Sequence, residues 1–412
     1  MALSPAERET LRDLAKQVAE IAAHPQNAVN RAEWIRHNGL RPGKAMVLCF
    51  PEGAWAELLP DDALTVSDAG LRRTEWHLRH IIYRWQHLRD DNVIEPVWKV
   101  GLAYHWTGWG LEAQQKPSPE ARGAWAFVPV INDPAHADKL KQPDLAVDEE
   151  QTRRNLESTH DLFGDILQVR PHRRIGVDTS LIGSLVRLRG LDQIMLDMCD
   201  RPQWLHQVMT FMTEATERLL DQVEQVPHLS LNNSDDYVGS GGVGYTDDLP
   251  GPGFNGRVRL RDLWGFAEAQ ELALVSPAMH EEFVLRYQGR LLDRFGLNCY
   301  GCCEDVTRKL EVIKRSVPRL RRVSVSPWTD LGAAAEALQD RIVFSWKPNP
   351  APVVLQFDAA RIRREVNECL DLAGGCIVEM ILKDTHSVRQ DPDSLSNWVK
   401  VAKEVTAARI QT

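Results

Sequence analysis

The sequence lacks long hydrophobic runs. No stretch approaches the roughly 18 consecutive apolar residues that a membrane-spanning helix needs, although apolar residues make up 43% of the chain. The first ten residues, Met1–Thr10, are polar with early acidic side chains, which is unlike a secretory signal. The sequence therefore predicts a cytoplasmic protein without a membrane anchor.

An excess of positive charge is also missing. The chain has 49 Lys and Arg residues against 58 Asp and Glu residues, a net charge of −9. Nucleic acids and anionic membrane surfaces bind to basic faces, so neither is expected as a partner. A small-molecule substrate is expected instead, and the oligomeric state is left open.

Cysteines are few and odd in number, seven in all. In a reducing compartment they are expected to be thiols or metal ligands and not disulfides. Cys299, Cys302 and Cys303 lie within five residues, and Cys376 opens a later apolar run. Thiols at the ends of two strands can hold a soft metal over the mouth of a barrel, so zinc is predicted here. Buried thiols that pack as small apolar groups are the alternative.

The Gly-x-Gly-x-x-Gly fingerprint of dinucleotide-binding sheets is absent, while strand-like and helix-like segments alternate from about residue 95. This alternation predicts an α/β fold, a TIM (β/α)8 barrel over residues 95–412 with a mainly helical segment, 1–94, packed against it. The predicted strands are 43–50, 229–233, 271–275, 296–300, 321–326, 341–346 and 376–382.

A glycine- and proline-rich segment over residues 239–256 is predicted to be a functional loop. We expect it to border the substrate entrance and to move more than the barrel, because it has few side chains to pack. Tyr245 and Asp247 lie in this loop and are predicted to bind substrate.

Polar and aromatic residues follow several predicted strands. Asp235 and Asp236 are candidate catalytic carboxylates, as a general base or a site for a cationic substrate, with a solvated or helix-capping role as the alternative. His386 follows the last strand and is a candidate catalytic residue or a surface residue. Trp264 and Trp328 are candidates for substrate binding, although aromatic residues at strand ends are more often core.

Three parts of the sequence carry a resemblance to a known family. They are Asp262–Pro277, Val323–Leu331 with the following Arg341–Pro350, and Leu185–Gly190 with Asp200–Trp204. Together they resemble the uroporphyrinogen decarboxylase superfamily over roughly residues 170–412. This resemblance implies a TIM barrel whose site lies at its C-terminal mouth.

The resemblance is closer to the corrinoid- and zinc-dependent methyltransferases of this superfamily than to the true decarboxylases. The arginine motif that grips porphyrinogens is not found, its nearest counterpart being Arg36–Arg41. In the methyltransferase branch zinc is held by a His-x-Cys and a distal Cys. Cys302 and Cys376, 74 residues apart, stand at the two cysteine positions. Cys303 or Glu304 is the implied third ligand.

The resemblance therefore implies a zinc-dependent methyltransferase or demethylase. It would move a methyl group between a small substrate and a corrinoid protein, a folate or a thiol. A metal-free decarboxylase or lyase acting on a small carboxylated substrate is the alternative, and a non-catalytic binding barrel is the third. Bound zinc would favour the first, clustered arginines at the barrel mouth the second, and an occluded mouth without converging polar groups the third.

Overall fold

The computed structural model describes residues 3–119, 126–389 and 391–410. Its strands are β1 Met46–Cys49, β2 Val97–Gly101, β3 Tyr104–Trp106, β4 Gln114–Lys116, β5 Ala126–Val128, β6 Leu145–Val147, β7 Gln168–His172, β8 Trp264–Ala267, β9 Leu297–Tyr300, β10 Leu320–Val325, β11 Val343–Trp346 and β12 Val378–Leu382. Its helices are α1 Pro5–Ala22, α2 Pro25–Asn38, α3 Trp55–Leu58, α4 Ala69–Tyr83, α5 Glu149–Phe163, α6 Ile182–Arg189, α7 Leu191–Asp200, α8 Pro202–Gln225, α9 Pro277–His280, α10 Arg286–Leu292, α11 Leu310–Ser316, α12 Leu331–Leu338, α13 Ala351–Leu355, α14 Ala359–Leu372 and α15 Asp393–Ile410.

The main sheet has six parallel strands in the order β1-β12-β11-β10-β9-β8. Helices cross between successive strands, which is the pattern that the alternation predicted. The first strand of the chain pairs with the last, Met46 opposite Glu379 and Cys49 opposite Leu382. Among the described residues no ladder joins β1 to β8, and β2 and β7 form a separate parallel pair. The fold is thus α/β with a parallel sheet.

Two of the predicted strands are wrong. Residues 229–233 form no strand, and residues 271–275 form a helical turn and a bend. The strand in this region is β8, a few residues earlier. Leu274, which made 271–275 look like a buried strand, is 91% exposed. The apolar residues of 271–275 therefore do not indicate a strand, because not all of their side chains reach the core.

The two faces of the sheet carry different side chains because neighbours on a strand point to opposite sides. We call the face that packs against α14 and α15 the outer face, and the opposite one the inner face. On the outer face, Val323, Phe344 and Met380 belong to a buried apolar core with residues of these two helices. On the inner face, Met46 and Ile381 pack with residues outside those helices. The inner face also bears several charged and thiol groups.

The inner face is covered by part of the glycine-rich segment. A side chain at Gly239 would meet Cys299 on β9 at 2.6 Å, and one at Gly241 would meet Ile381 on β12 at 2.8 Å. Both glycines have positive φ, 68° and 129°. Glycine is needed here because its missing Cβ lets the backbone lie directly on the sheet. The expectation that this segment packs little is wrong for this part, which is buried, while its greater mobility stays a prediction.

The N-terminal segment 1–94 supplies both α2 and β1. Helix α1 begins with Pro5, and Ser4 and Glu7 form a capping box at this end of the helix. Because β1 is itself a strand of the main sheet, at one edge, this segment does more than pack against the sheet. A domain boundary at residue 94 stays a prediction.

Within the described ranges, no helix is long and apolar enough to cross a membrane.

Candidate functional site

A tight turn follows β9 at the C-terminal edge of the sheet. Gly301 has φ of 87°, which turns the chain directly after the strand. The Cys302 N–H donates to Glu304 Oε2 at 2.7 Å, and Ser324 Oγ donates to the Cys302 carbonyl at 2.7 Å. Hydrogen bonds to both its N–H and its carbonyl hold the backbone of Cys302 in place.

The Cys302 sulfur has three polar neighbours. Ser240 Oγ lies 3.2 Å away, Cys303 Sγ 3.5 Å and Lys383 Nζ 3.9 Å. Donation from Cys303 and Ser240, together with the positive charge of Lys383, outweighs partial burial and lowers the pKa of Cys302 to about 6. Cys302 is therefore a thiolate at neutral pH, the reactive form of cysteine.

Cys303 keeps its proton. Its thiol lies 3.5 Å from Cys302 and 3.5 Å from Asp384 Oδ2, two acceptors for a single proton. The hydrogen bond to Cys302, together with burial and the nearby negative charges, raises the pKa of Cys303. The pair is thus one thiolate and one thiol, with the charge on Cys302.

Two lysines follow neighbouring strands at the same edge. Lys383 comes directly after β12 and Lys347 directly after β11. Lys347 is 3% exposed, and its ammonium donates to the backbone and side-chain oxygens of Ser345. Burial lowers its pKa to about 8, against the opposing charge of Glu379, so it is mostly protonated at neutral pH. Within the described ranges no carboxylate lies within 4 Å of Lys347 to form an ion pair.

A buried ion pair lies deeper on the inner face. Arg322 Nε is 2.9 Å from Glu379 Oε1, and His37 Nε2 is 3.1 Å from Glu379 Oε2. Although burial opposes ionisation, these partners lower the pKa of Glu379 to about 2. Burial lowers the pKa of His37, so the ring is neutral. Glu379 and Arg322 thus neutralise each other.

Glu268 adds a protonated acid at the end of β8. Burial, together with the charges of Glu271, Glu304 and Cys302, raises its pKa to about 8, although the Gln270 N–H donates to it at 2.7 Å. A carboxylic acid that stays protonated at neutral pH can give a proton to a leaving group.

Cys376 lies at the N-terminal ends of the strands, whereas Cys302 lies at their C-terminal ends. The predicted Cys302–Cys376 pair is therefore wrong. Cys376 precedes β12, and its thiol donates to the carbonyl of Ala335 in α12 at 3.6 Å. In a parallel sheet, the residue before one strand and the residue after another lie a strand length apart, here roughly 15 Å. Shared zinc binding by Cys302 and Cys376 is excluded.

The remaining predicted ligands do not form a zinc site either. Both carboxylate oxygens of Glu304 accept backbone hydrogen bonds, from Cys302 at 2.7 Å and from Ala269 at 3.4 Å. In the part of the chain that the structure describes, no three His, Cys, Asp or Glu side chains are grouped to bind one metal ion. A catalytic zinc needs three protein ligands. Within the described ranges the predicted ligands do not supply three grouped side chains, and zinc binding stays a prediction.

Asp235 and Asp236 form a separate, fully paired cluster. Asp236 lies 3.0 Å from His172 Nε2, 3.1 Å from Arg174 and 3.4 Å from Lys99, and Lys99 also pairs with Asp235. Burial opposes ionisation, but these partners hold the pKa of Asp236 well below its usual range. A carboxylate so held is a poor base, so the predicted general-base role of Asp236 has no support.

Three of the four predicted substrate-binding residues lie away from the thiolate. Tyr245 is 2% exposed and donates to Glu95, and Trp264, the first residue of β8, donates to the Gly244 carbonyl. Asp247 is exposed and lies 3.6 Å from Arg41, which precedes β1. The chain runs down the inner face after Ser240, so these residues approach the N-terminal edge.

Trp328 and His386 lie at the C-terminal edge with Cys302, because they follow β10 and β12. Trp328 is 70% exposed, and His386 is exposed beside Gly53. Both are therefore placed to meet a ligand that approaches this edge, although neither contacts the Cys302 sulfur.

Sequence reasoning missed four polar groups of this site: Ser240, Glu268, Lys347 and Lys383. The signal available for the two lysines was their position, directly after apolar runs that form β11 and β12. Ser240 had no such signal, since it was read as part of an open loop.

This chain is similar in structure to solved proteins but not detectably similar in sequence to known families. No protein-family model and no curated protein sequence matches this chain. A methyltransferase from Methanosarcina mazei has a similar structure, with a TM-score of 0.51 and 10% sequence identity, over 91% of this chain and 98% of that one. At this identity the likeness shows that the two chains share a fold.

Proposed function

We propose that this chain is a methyl-transferring enzyme in which the Cys302 thiolate takes the methyl group from its donor. The observation that carries the proposal is the surroundings of Cys302 Sγ, with Ser240 at 3.2 Å and Lys383 at 3.9 Å. These groups stabilise a thiolate at the end of a parallel strand, where barrel enzymes have their sites. The fold shared with a methyltransferase agrees with this chemistry.

The transfer is a displacement at carbon. A lone pair of the Cys302 sulfur forms the new bond to the methyl carbon as the bond to the donor atom breaks. The electron pair of that bond stays with the donor atom, and when this is an oxygen, Glu268 gives it a proton. Turnover then requires a strong nucleophile that removes the methyl group from Cys302, for which a reduced corrinoid protein, a folate or a thiol is the proposed acceptor.

We also propose that the fold is a (β/α)8 barrel in which the β2–β7 pair fills the gap between β1 and β8. In support, β1 and β12, which come first and last along the chain among the strands of the main sheet, pair with each other as in a closed barrel. Zinc stays a prediction that metal analysis of the purified protein tests. The chemistry above does not use it, since no three ligands are grouped in the described ranges.

The test is demethylation of a panel of donors: methylcobalamin, 5-methyltetrahydrofolate, a methoxybenzoate and a methyl thioether. The native protein should release the demethylated product from one of them. Cys302→Ser should lose this activity by at least about 10⁴-fold, as when other covalent nucleophiles are removed. Cys199→Ser, at an exposed cysteine on α7, is the matched control and should retain it. Equal rates in the native protein and Cys302→Ser would refute the proposal.

The metal-free decarboxylase is the second candidate, favoured by the buried amine of Lys347 with its pKa of about 8. A deprotonated lysine can condense with the carbonyl of an oxo acid, releasing water, and the resulting imine accepts the electrons left when carbon dioxide departs. Borohydride reduction in the presence of acetoacetate would then leave a stable adduct on Lys347. An unmodified Lys347 would exclude this candidate.

A further inference from the structure

Lys347 is a buried cation that methyl transfer to Cys302 does not use. It is 3% exposed, and its hydrogen bonds go to uncharged oxygens of Ser345. Burying an ammonium group without an ionised partner costs several kcal/mol. The cost indicates that a negative charge is missing from this place in the protein alone.

The acidic groups around Lys347 are already engaged. Glu379 pairs with Arg322 at 2.9 Å, and the partly buried Asp384 lies 3.6 Å from Lys383. Glu52 is exposed and accepts the Asp384 N–H at 2.8 Å. The buried Glu304 accepts the backbone N–H groups of Cys302 and Ala269. Within the described ranges none of these carboxylates lies within 4 Å of Lys347, so an additional anion beside its ammonium group is electrostatically favoured.

We propose that the substrate of Cys302 carries a carboxylate that is bound between Lys347 and Lys383. The inference rests on the proposed role of Cys302 as a nucleophile and names the substrate class for it. The two lysines follow adjacent strands that are about 4.8 Å apart, and the pairing of Trp346 with Met380 places Lys383 two residues further along its strand than Lys347. Both side chains are long enough for their ammonium groups to meet at one carboxylate. A carboxylate in this position places the rest of a short substrate beside the thiolate.

Alkylation of Cys302 by iodoacetate and by iodoacetamide tests this inference without knowledge of the substrate. In both reactions the sulfur bonds to the CH2 carbon and iodide leaves with the electron pair. The reagents differ in charge, and both attack the same thiolate, so the ratio of their rates removes the effect of the Cys302 pKa. Peptide mass spectrometry gives the ratio separately for Cys302 and for the exposed Cys199 in the same sample.

The iodoacetate-to-iodoacetamide ratio at Cys302 should exceed that at Cys199 by at least about tenfold, because fixed cations attract the anionic reagent. Lys347→Met should bring the ratio close to that of Cys199. Lys314→Met, which removes a partly buried lysine of α11 that pairs with Glu311, should leave it unchanged. Equal ratios at Cys302 and Cys199 in the native protein would overturn the inference.

A second measurement uses the native protein, in case Lys347→Met does not fold. Malonate should protect Cys302 from iodoacetamide at millimolar concentration, and its neutral analogue malonamide should not. Equal protection by both, or by neither, would also overturn the inference. A high alkylation ratio without methyl transfer would refute the proposed function alone, whereas methyl transfer with equal ratios would refute the carboxylate site alone.

Discussion

At the scale of single residues, Cys302 differs from the other cysteines in what surrounds its sulfur. Burial raises the pKa of Cys49 and Cys369, and Cys299 on the inner face is also raised by burial despite the nearby Arg322. Cys302 is only partly buried and receives hydrogen bonds and positive charge instead. The clustered cysteines in the sequence pointed to the segment that contains Cys302. They could not show which thiol is reactive, because Ser240 and Lys383 are 62 and 81 residues away.

The first prediction concerns the pH dependence of Cys302 alkylation. Only the thiolate reacts, so the rate with iodoacetamide should rise with pH and reach half its maximum near pH 6, the lowered pKa of Cys302. Lys383→Met should move the midpoint to higher pH, because it removes a charge that stabilises the thiolate. A native midpoint near 8.5, the value of an ordinary cysteine, would contradict the described surroundings.

The second prediction separates the two cysteines that the sequence paired. Cys376→Ala should retain methyl transfer and lose only about 1 kcal/mol of unfolding free energy, since it empties a small space at the opposite edge of the sheet. Cys302→Ala should lose the transfer and keep its thermal midpoint within a few degrees. Loss of activity in Cys376→Ala at unchanged stability would mean that the two thiols act together.

At the scale of elements, part of the glycine-rich segment covers the inner face of the main sheet. Four predicted strands, 296–300, 321–326, 341–346 and 376–382, agree closely with β9 to β12, because each is a short apolar run between helical segments. The covering of the inner face by residues after Asp236 could not be predicted. Glycine-rich sequence is typical of mobile loops, and only the contacts with β9 and β12 show that this one is buried.

The third prediction tests this packing with two glycines. Gly239→Ala should lower the unfolding free energy by roughly 2–4 kcal/mol, because the new Cβ would lie 2.6 Å from Cys299 Cβ and φ is 68°. Gly253→Ala is the matched control, with φ of 80° and no atom within 4 Å of the new Cβ. It should cost only about 1 kcal/mol. Urea unfolding measures both, and equal losses would indicate an uncovered inner face.

At the scale of the whole molecule, the chain is held together by the pairing of its first and last sheet strands. Met46–Cys49 and Val378–Leu382 share a parallel ladder, and His37 of α2 contacts Glu379 on the inner face. The N-terminal part thus completes the environment of the buried ion pair. Sequence patterns did predict a strand over 43–50, but not its partner, since pairing between distant strands leaves no local signal.

The fourth prediction follows from this pairing. A chain that begins at residue 95 should not fold cooperatively, because it exposes the edge of β12 and leaves Glu379 without His37. Thermal unfolding followed by circular dichroism measures this. A single sharp transition like that of the full chain would support an independent domain from residue 95 onward.

The central claim is that Cys302 itself receives the methyl group. The most direct measurement is one turnover with a deuterium-labelled methyl donor, without acceptor and with a chelator present, followed by peptide mass mapping. We predict one trideuteromethyl group per chain on Cys302, and none on Cys303 or Cys376. Product formation with an unlabelled Cys302, or complete loss of the reaction when the chelator is added, would contradict it.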